Sequence, residues 1–146
     1  VAVFLSFDGE LDTQPLIEQL WRAGKRVYLP VLHPFSAGNL LFLNYHPQSE
    51  LVMNRLKIHE PKLDVRDVLP LSRLDVLITP LVAFDEYGQR LGMGGGFYDR
   101  TLQNWQHYKT QPVGYAHDCQ LVEKLPVEEW DIPLPAVVTP SKVWEW

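Results

Sequence analysis

The chain has a single cysteine, Cys119, so no disulfide can form within it. That fits a reducing compartment, and the expected location is the cytoplasm. It also lacks any apolar run near the roughly 18 residues that a bilayer-spanning helix requires. The opening Val1-Ala-Val-Phe-Leu-Ser6 has no basic flank and is too short for a signal peptide. Basic residues are few: 13 Lys and Arg stand against 18 Asp and Glu, for a net charge of −5. A nucleic-acid binder needs a basic face to displace counterions, so neither nucleic acid nor membrane is an expected partner. No Gly-x-Ser-x-Gly elbow is present, no His/Cys cluster suggests zinc, and no internal repeat appears.

What remains is a globular composition. The chain has 146 residues, of which 46% are apolar and 21% charged. That is one domain, residues 1–146, large enough for a core.

Glycine is concentrated in one place. Gly92, Gly94, Gly95 and Gly96 fall within five positions of Arg90-Leu-Gly-Met-Gly-Gly-Gly-Phe-Tyr-Asp-Arg100. Glycine in a regular element costs roughly 0.5–1 kcal/mol relative to alanine, so the run suits a backbone that must itself touch something. Amides without Cβ neighbours can form an anion-binding concavity. Tyr98, Leu102 and Trp105 then repeat at i, i+4 and i+7, which predicts a helix over 97–105. The glycines would lie at its N-terminus, where free N–H groups and the dipole favour phosphate. A plain flexible surface loop is the competing reading. Asp99 is placed either to stabilise the first helical turn or to hold magnesium beside phosphate oxygens. The loop is not a Walker loop, since no Gly-Lys-Ser/Thr follows. It is not the dinucleotide fingerprint either.

Along the chain, Val1–Ser6 reads as an apolar strand. Asp12 or Thr13 can cap a helix to about Ala23, with Pro15 in its first turn and Gly24 at its end. Lys25–Val31 reads as a second strand. This βαβ unit predicts parallel pairing with a right-handed crossover, and ligands in such sheets sit beyond the carboxyl ends of strands. Glu10, just after the first strand, is therefore a candidate, against the plainer reading of a surface acid. Further strands are expected over 40–45, 74–79, 111–117 and 135–139. Residues 49–61 read as less regular, and 61–73 as connecting structure. Asp85-Glu-Tyr-Gly88 reads as a turn. His59 is a loop histidine that could carry a proton or simply be solvated. Asp131 reads as a turn aspartate. His117, Asp118 and Cys119 do not converge if extended, which argues against a Cys-His nucleophile.

The string Pro80-Leu-Val-Ala-Phe-Asp85-Glu-Tyr-Gly88-Gln-Arg90-Leu-Gly92-Met-Gly-Gly-Gly-Phe-Tyr-Asp99-Arg100 resembles the signature of the 5-formyltetrahydrofolate cyclo-ligases, also called methenyltetrahydrofolate synthetases. The resemblance covers the whole chain. It implies a three-layer α/β/α domain with a mostly parallel, Rossmann-like sheet. It implies ATP-dependent cyclisation of 5-formyltetrahydrofolate to 5,10-methenyltetrahydrofolate, with ATP as co-substrate and Mg2+ as cofactor. By the same match Arg90, Leu91, Gly92, Met93, Gly94, Gly95, Gly96, Phe97 and Tyr98 would hold ATP. Met93 to Phe97 would also face the folate, together with Leu5 and Glu10. Asp99 and Asp131 would hold the metal, the latter placed by Leu125-Pro126-Val-Glu-Glu-Trp-Asp131. Gln120 resembles a glutamine near the family's cleft. Met93 departs from the pattern, where relatives often carry arginine. The family's members usually begin with a helical segment, so the resemblance implies that this chain lacks it. The expected state is a monomer acting on small molecules. The alternatives are a sugar-phosphate isomerase or CoA-transferase of similar build, and a folate- or nucleotide-binding module without catalysis.

Overall fold

In a computed structural model, the protein is described over residues 1–5, 10–32, 40–53, 59–62, 64–92, 97–103, 105–126 and 132–146. The elements run α1 (Gln14–Arg22), β1 (Val27–Leu32), β2 (Leu40–Tyr45), β3 (Leu51–Met53), β4 (His59–Pro61), β5 (Val68–Leu69), β6 (Val76–Thr79), β7 (Ala83–Phe84), β8 (Arg90–Leu91), α2 (Phe97–Leu102), β9 (Gln111–Tyr115), β10 (Ala136–Val138) and β11 (Val143–Glu145). This is a mixed α/β fold whose main sheet is largely parallel.

The sheet is joined through Ala2. That residue bridges Tyr28 of β1 and Leu77 of β6, both in parallel. Ile78 donates to its carbonyl at 2.8 Å, and its own amide donates to Val76 at 2.8 Å. On the β1 side, Tyr28 donates to Val1 and Val3 donates to Tyr28, both at 2.9 Å. The ladder stops there because the next residue of β1 facing this edge is Pro30, which has no N–H to continue it. The expected first strand is thus an extended segment with a single bridge on each side. β6 pairs in parallel with β9, and β9 with β10. The rims are antiparallel: β2 on β1, β5 on β2, and β11 on β10.

Alternate residues of the central strands face two different clusters. Val3, Val27 and Ile78 pack with Ile17, Leu16, Leu20 and Trp21 of α1. Ala2, Tyr28 and Leu77 pack in the other cluster, with Leu102 of α2. The neighbours of each residue in one cluster point into the other, as the two-residue period of a strand requires. Burial on both faces explains why β1 is a nearly continuous apolar run.

α1 starts where Asp12 accepts a hydrogen bond from Gln14 N–H at 3.0 Å. Thr13 occupies the cap position, but its hydroxyl donates to Phe4 carbonyl at 2.6 Å, which ties the helix to the end of the first extended segment. Gly24, at φ 74°, closes the C-terminus.

Several expectations are corrected. α2 ends at Leu102, not at Trp105. Gln103 donates to Arg100 at 3.4 Å, an i→i−3 bond that tightens the turn, and Trp105–His107 form a separate 3-10 turn. Tyr98, Leu102 and Trp105 still pack into one cluster, so the spacing marked a shared buried face without a continuous helix. The irregular 49–61 stretch contains the antiparallel pair β3–β4. The connecting 61–73 stretch contributes β5, and β11 follows the strand expected to be last. β9 ends at Tyr115, and Asp118–Gln120 form a 3-10 turn.

Candidate active site

The carboxyl ends of the first extended segment, β6 and β9 lie at one edge of the sheet, where Leu5, Pro80 and Tyr115 are found. Into this edge the β7–β8 hairpin delivers Arg90. The hairpin forms because Asp85 accepts from Tyr87 and Gln89 N–H at 2.9 and 3.0 Å, and because Gly88 supplies φ 82°. A Cβ at Gly88 would lie 2.6 Å from Leu134 carbonyl oxygen, so the turn also needs glycine for the close approach of the chain at Leu134.

Arg90 is not a surface cation. Its side chain is 3% exposed and its Nη2 lies 3.1 Å from Asp99 Oδ1. Nη1 donates to Pro80 carbonyl at 3.4 Å, which anchors the guanidinium to the end of β6. The group lies 5.8 Å from the centre of the Tyr98 ring. Its Nε is buried and makes no hydrogen bond among the described residues. A desolvated donor without a partner is costly, and an anionic ligand would satisfy it.

Asp99, on the first turn of α2, accepts through Oδ1 from Arg90 and from Ile132 N–H at 3.2 Å. Its Oδ2 makes no hydrogen bond among the described residues. Sequence positions 99 and 132 therefore meet at one carboxylate, and Asp131 immediately precedes the second of them. Tyr98 packs against the main cluster. Desolvation pushes its hydroxyl pKa up; Arg90 opposes this, and the charge of Glu10 adds to it. Glu10 is half-buried, and its charge acts on the Tyr98 hydroxyl.

The other expected residues divide. Leu5 is half-buried and packs beside Val3, at the edge of the α1 cluster. Leu91 is 48% exposed, although its carbonyl accepts from Val82 N–H at 2.7 Å. Gly92 is partly buried, and a Cβ there would meet Arg90 Nη1 at 3.0 Å. Phe97 is half-buried, with the Arg100 guanidinium 5.5 Å from its ring centre. Met93, Gly94, Gly95, Gly96 and Asp131 lie outside the described residues. His59 is exposed on β4, opposite Met53. Among the described residues, no group of three or more His, Cys, Asp or Glu forms a ready-made metal cluster.

Three further residues shape this edge of the sheet, and the sequence pointed only to Gln120. Gln120 donates to Leu81 carbonyl at 2.7 Å and to Val82 carbonyl at 3.1 Å, while accepting from His117 N–H at 2.7 Å. It thus clamps the strand connection leading into the hairpin. Asp85 is fully buried. Tyr115 stands at the carboxyl end of β9 with its hydroxyl 3.4 Å from Asp12 carbonyl, and burial pushes its pKa up. The available signal for Tyr115 was its place as the last residue of a buried parallel strand.

Comparison with known proteins gives a consistent answer. Residues 1–140 match the model of the 5-formyltetrahydrofolate cyclo-ligase family. A 5-formyltetrahydrofolate cyclo-ligase of Haemophilus influenzae is 60% identical over 134 residues, covering 92% of this chain and 72% of the relative. The Mus musculus enzyme of the same name is 29% identical over 146 residues, covering 94% and 71%. The NMR structure of Aquifex aeolicus 5,10-methenyltetrahydrofolate synthetase superposes with a TM-score of 0.80 at 31% identity, covering 99% of this chain and 70% of that one.

Proposed function

The chain belongs to the 5-formyltetrahydrofolate cyclo-ligase family, and on that premise we propose how its residues carry out the family's reaction. That reaction is the ATP-dependent cyclisation of 5-formyltetrahydrofolate to 5,10-methenyltetrahydrofolate, with release of ADP and phosphate. The formyl oxygen attacks the γ-phosphorus of ATP, and the bond to ADP breaks. N10 then attacks the activated formyl carbon, phosphate leaves with the oxygen, and the N10 proton is lost. Such chemistry asks for positioning and neutralisation of charge more than for a protein nucleophile.

The observation that carries the reading is the Arg90–Asp99 pair, held at the carboxyl edge of the sheet with Ile132 N–H on the same carboxylate. Arg90 contributes a fixed cation and an unsatisfied buried donor to phosphate oxygens. Residues 90–98 would cradle the phosphates, with Phe97 and Tyr98 supplying apolar and aromatic walls. Leu5 and Glu10 bind the folate; a carboxylate suits a pterin because adjacent ring N–H groups offer it a bidentate bond. Asp99 and Asp131 would hold a hard cation that takes oxygen ligands. Magnesium held there would neutralise charge on the triphosphate.

The architecture we infer is one α/β/α domain over residues 1–146, with a Rossmann-like core. Support comes from α1 and α2 packing in clusters that draw on alternate residues of the central strands. We take the protein to act as a monomer on small molecules in the cytoplasm, with neither nucleic acid nor membrane as partner. No helix among the described residues is long and apolar enough to cross a membrane.

The test is direct. The protein is mixed with MgATP and 5-formyltetrahydrofolate, and absorbance is followed at the methenylfolate band. Growth of the band only when all components are present supports the reading. ATP consumed without any rise in the band sinks it.

A further inference from the structure

We propose that Asp85 is a positioning residue for this site: its carboxylate fastens the hairpin that carries Arg90 to the 122–134 stretch that supplies Ile132, and so sets how Arg90, Asp99 and Ile132 meet. The effect on turnover rests on the function proposed above; the structural link does not.

A turn aspartate is ordinarily an exposed residue whose side chain mimics a backbone turn. Asp85 is instead 0% exposed. No ion pair involves it among the described residues. An unpaired buried carboxylate is expensive unless hydrogen bonds replace its water. Three amides do so here. Oδ1 takes the two N–H groups of its own turn, from Tyr87 and Gln89. Oδ2 reaches across 40 residues of sequence to accept from Leu125 N–H at 3.0 Å. The first two bonds shape the turn, whereas the third does nothing for the turn.

The third bond sits among others between the same two pieces of chain. Val122 donates to Phe84 carbonyl, and Leu134 donates to Gly88 carbonyl, both at 2.8 Å. Ile132 donates to Asp99, which Arg90 holds. The hairpin strands are only two residues each, β7 and β8, so their own ladder is weak. The orientation of Arg90 therefore depends on what the hairpin is fastened to. Among the described residues, Asp85 is the one side chain that grips both the turn and the 122–126 stretch.

Asp85→Asn separates the two jobs. An amide oxygen can still accept from Tyr87 and Gln89, but its NH2 then faces the Leu125 N–H, donor against donor. Amide hydrogen exchange by NMR reads the result. We expect the Leu125 and Ile132 amides to exchange at least about tenfold faster, with Tyr87, Gln89 and the core Leu43 unchanged. We expect kcat to fall about tenfold or more while KM for 5-formyltetrahydrofolate moves less than about twofold. Mn2+ affinity in the presence of ADP, read by electron paramagnetic resonance, should weaken alongside. Faster exchange at Leu125 alone, with Ile132, kcat and Mn2+ affinity as in wild type, overturns the proposal. Equal acceleration at Leu43 also overturns it, since that would be a general loss of stability. If Asp85→Asn does not fold, Leu125→Pro removes the donor N–H and should give the same acceleration at Ile132 with Tyr87, Gln89 and Leu43 unchanged; wild-type protection of Ile132 in that variant overturns the proposal. Should wild type show no cyclisation, the function fails, while exchange at Ile132 still decides the positioning.

Discussion

Arg90 Nη2 lies 3.1 Å from Asp99 Oδ1, with the arginine side chain 3% exposed and the aspartate 16%. Two residues expected to serve different ligands, one the nucleotide and the other the metal, are thus partners of each other. Removing either one strands a charge out of water.

Arg90→Met tests the cation side. Breaking a buried pair by deleting one partner costs about 3–5 kcal/mol. Because Asp99 retains Ile132 N–H and some solvent, we expect the low end, about 3 kcal/mol, from urea unfolding. Cyclisation should fall with it. Arg90→Lys should not rescue turnover, since an ammonium cannot span both Pro80 carbonyl and Asp99 as a planar fork does.

Asp99 requires a more careful substitution. Asp99→Ala would leave the buried guanidinium with no countercharge and its Nη2 without its acceptor, so lost stability would confuse lost activity. Asp99→Asn keeps an oxygen for Arg90 and Ile132 and removes the charge. The expected outcome is a folded protein whose magnesium-dependent turnover drops by about two orders of magnitude. A near wild-type rate in Asp99→Asn, measured across magnesium concentrations, would remove Asp99 from the metal site.

Gly24 and Gly88 both have positive φ, at 74° and 82°, but differ in surroundings. At Gly24 a Cβ meets nothing within 4 Å, so Gly24→Ala should cost only the left-handed backbone penalty, about 1–2 kcal/mol. At Gly88 the same Cβ would strike Leu134 carbonyl oxygen at 2.6 Å and Trp146 at 3.1 Å. Gly88→Ala should therefore lose clearly more stability in thermal unfolding, and activity too, since the turn sets the Arg90 hairpin.

Desolvation raises the Tyr98 hydroxyl pKa above its ordinary value of about 10. The folded state thus holds the proton where the unfolded chain releases it. By linkage, the stability Tyr98 contributes is fully present below about pH 10 and is lost as pH rises toward the folded-state value. Urea unfolding across the alkaline range should show this decline, and Tyr98→Phe should flatten it. Phenolate absorbance of the folded protein should show a tyrosine that titrates late and vanishes from the count in that variant.

β1 and β6 were legible from nearly continuous apolar runs with β-branched residues, and β2 and β9 also lie where strands were expected. The Arg90–Asp99 end of the site was legible as a glycine-rich signature. Its pairing was not, because the residues lie nine apart across a loop and no local period links them. β5 was hidden by its two-residue length and by flanking Asp67 and Pro70. The role of Asp85 was hidden because a surface turn and a buried staple share the same Asp-x-x-Gly spelling. Only the contact with Leu125, set by tertiary packing, distinguishes them.

The chain's last residues fold back over the hairpin. Trp144 stands edge-on to Phe84 with ring centres 5.9 Å apart, Trp146 stacks on Trp144, and the Trp146 indole donates to Glu86 carbonyl. On the α1 side, Trp21 meets Tyr45 at 5.2 Å and donates to its carbonyl. Among the described residues, indoles thus stand on the hairpin and on the α1 side, with Trp105 apart from both in the main cluster. Variants keeping the indoles of only one of these two places, with Trp105 and Trp130 replaced, would let emission spectra follow the melting of the Arg90 hairpin and of the helix-covered face independently, without any attached dye.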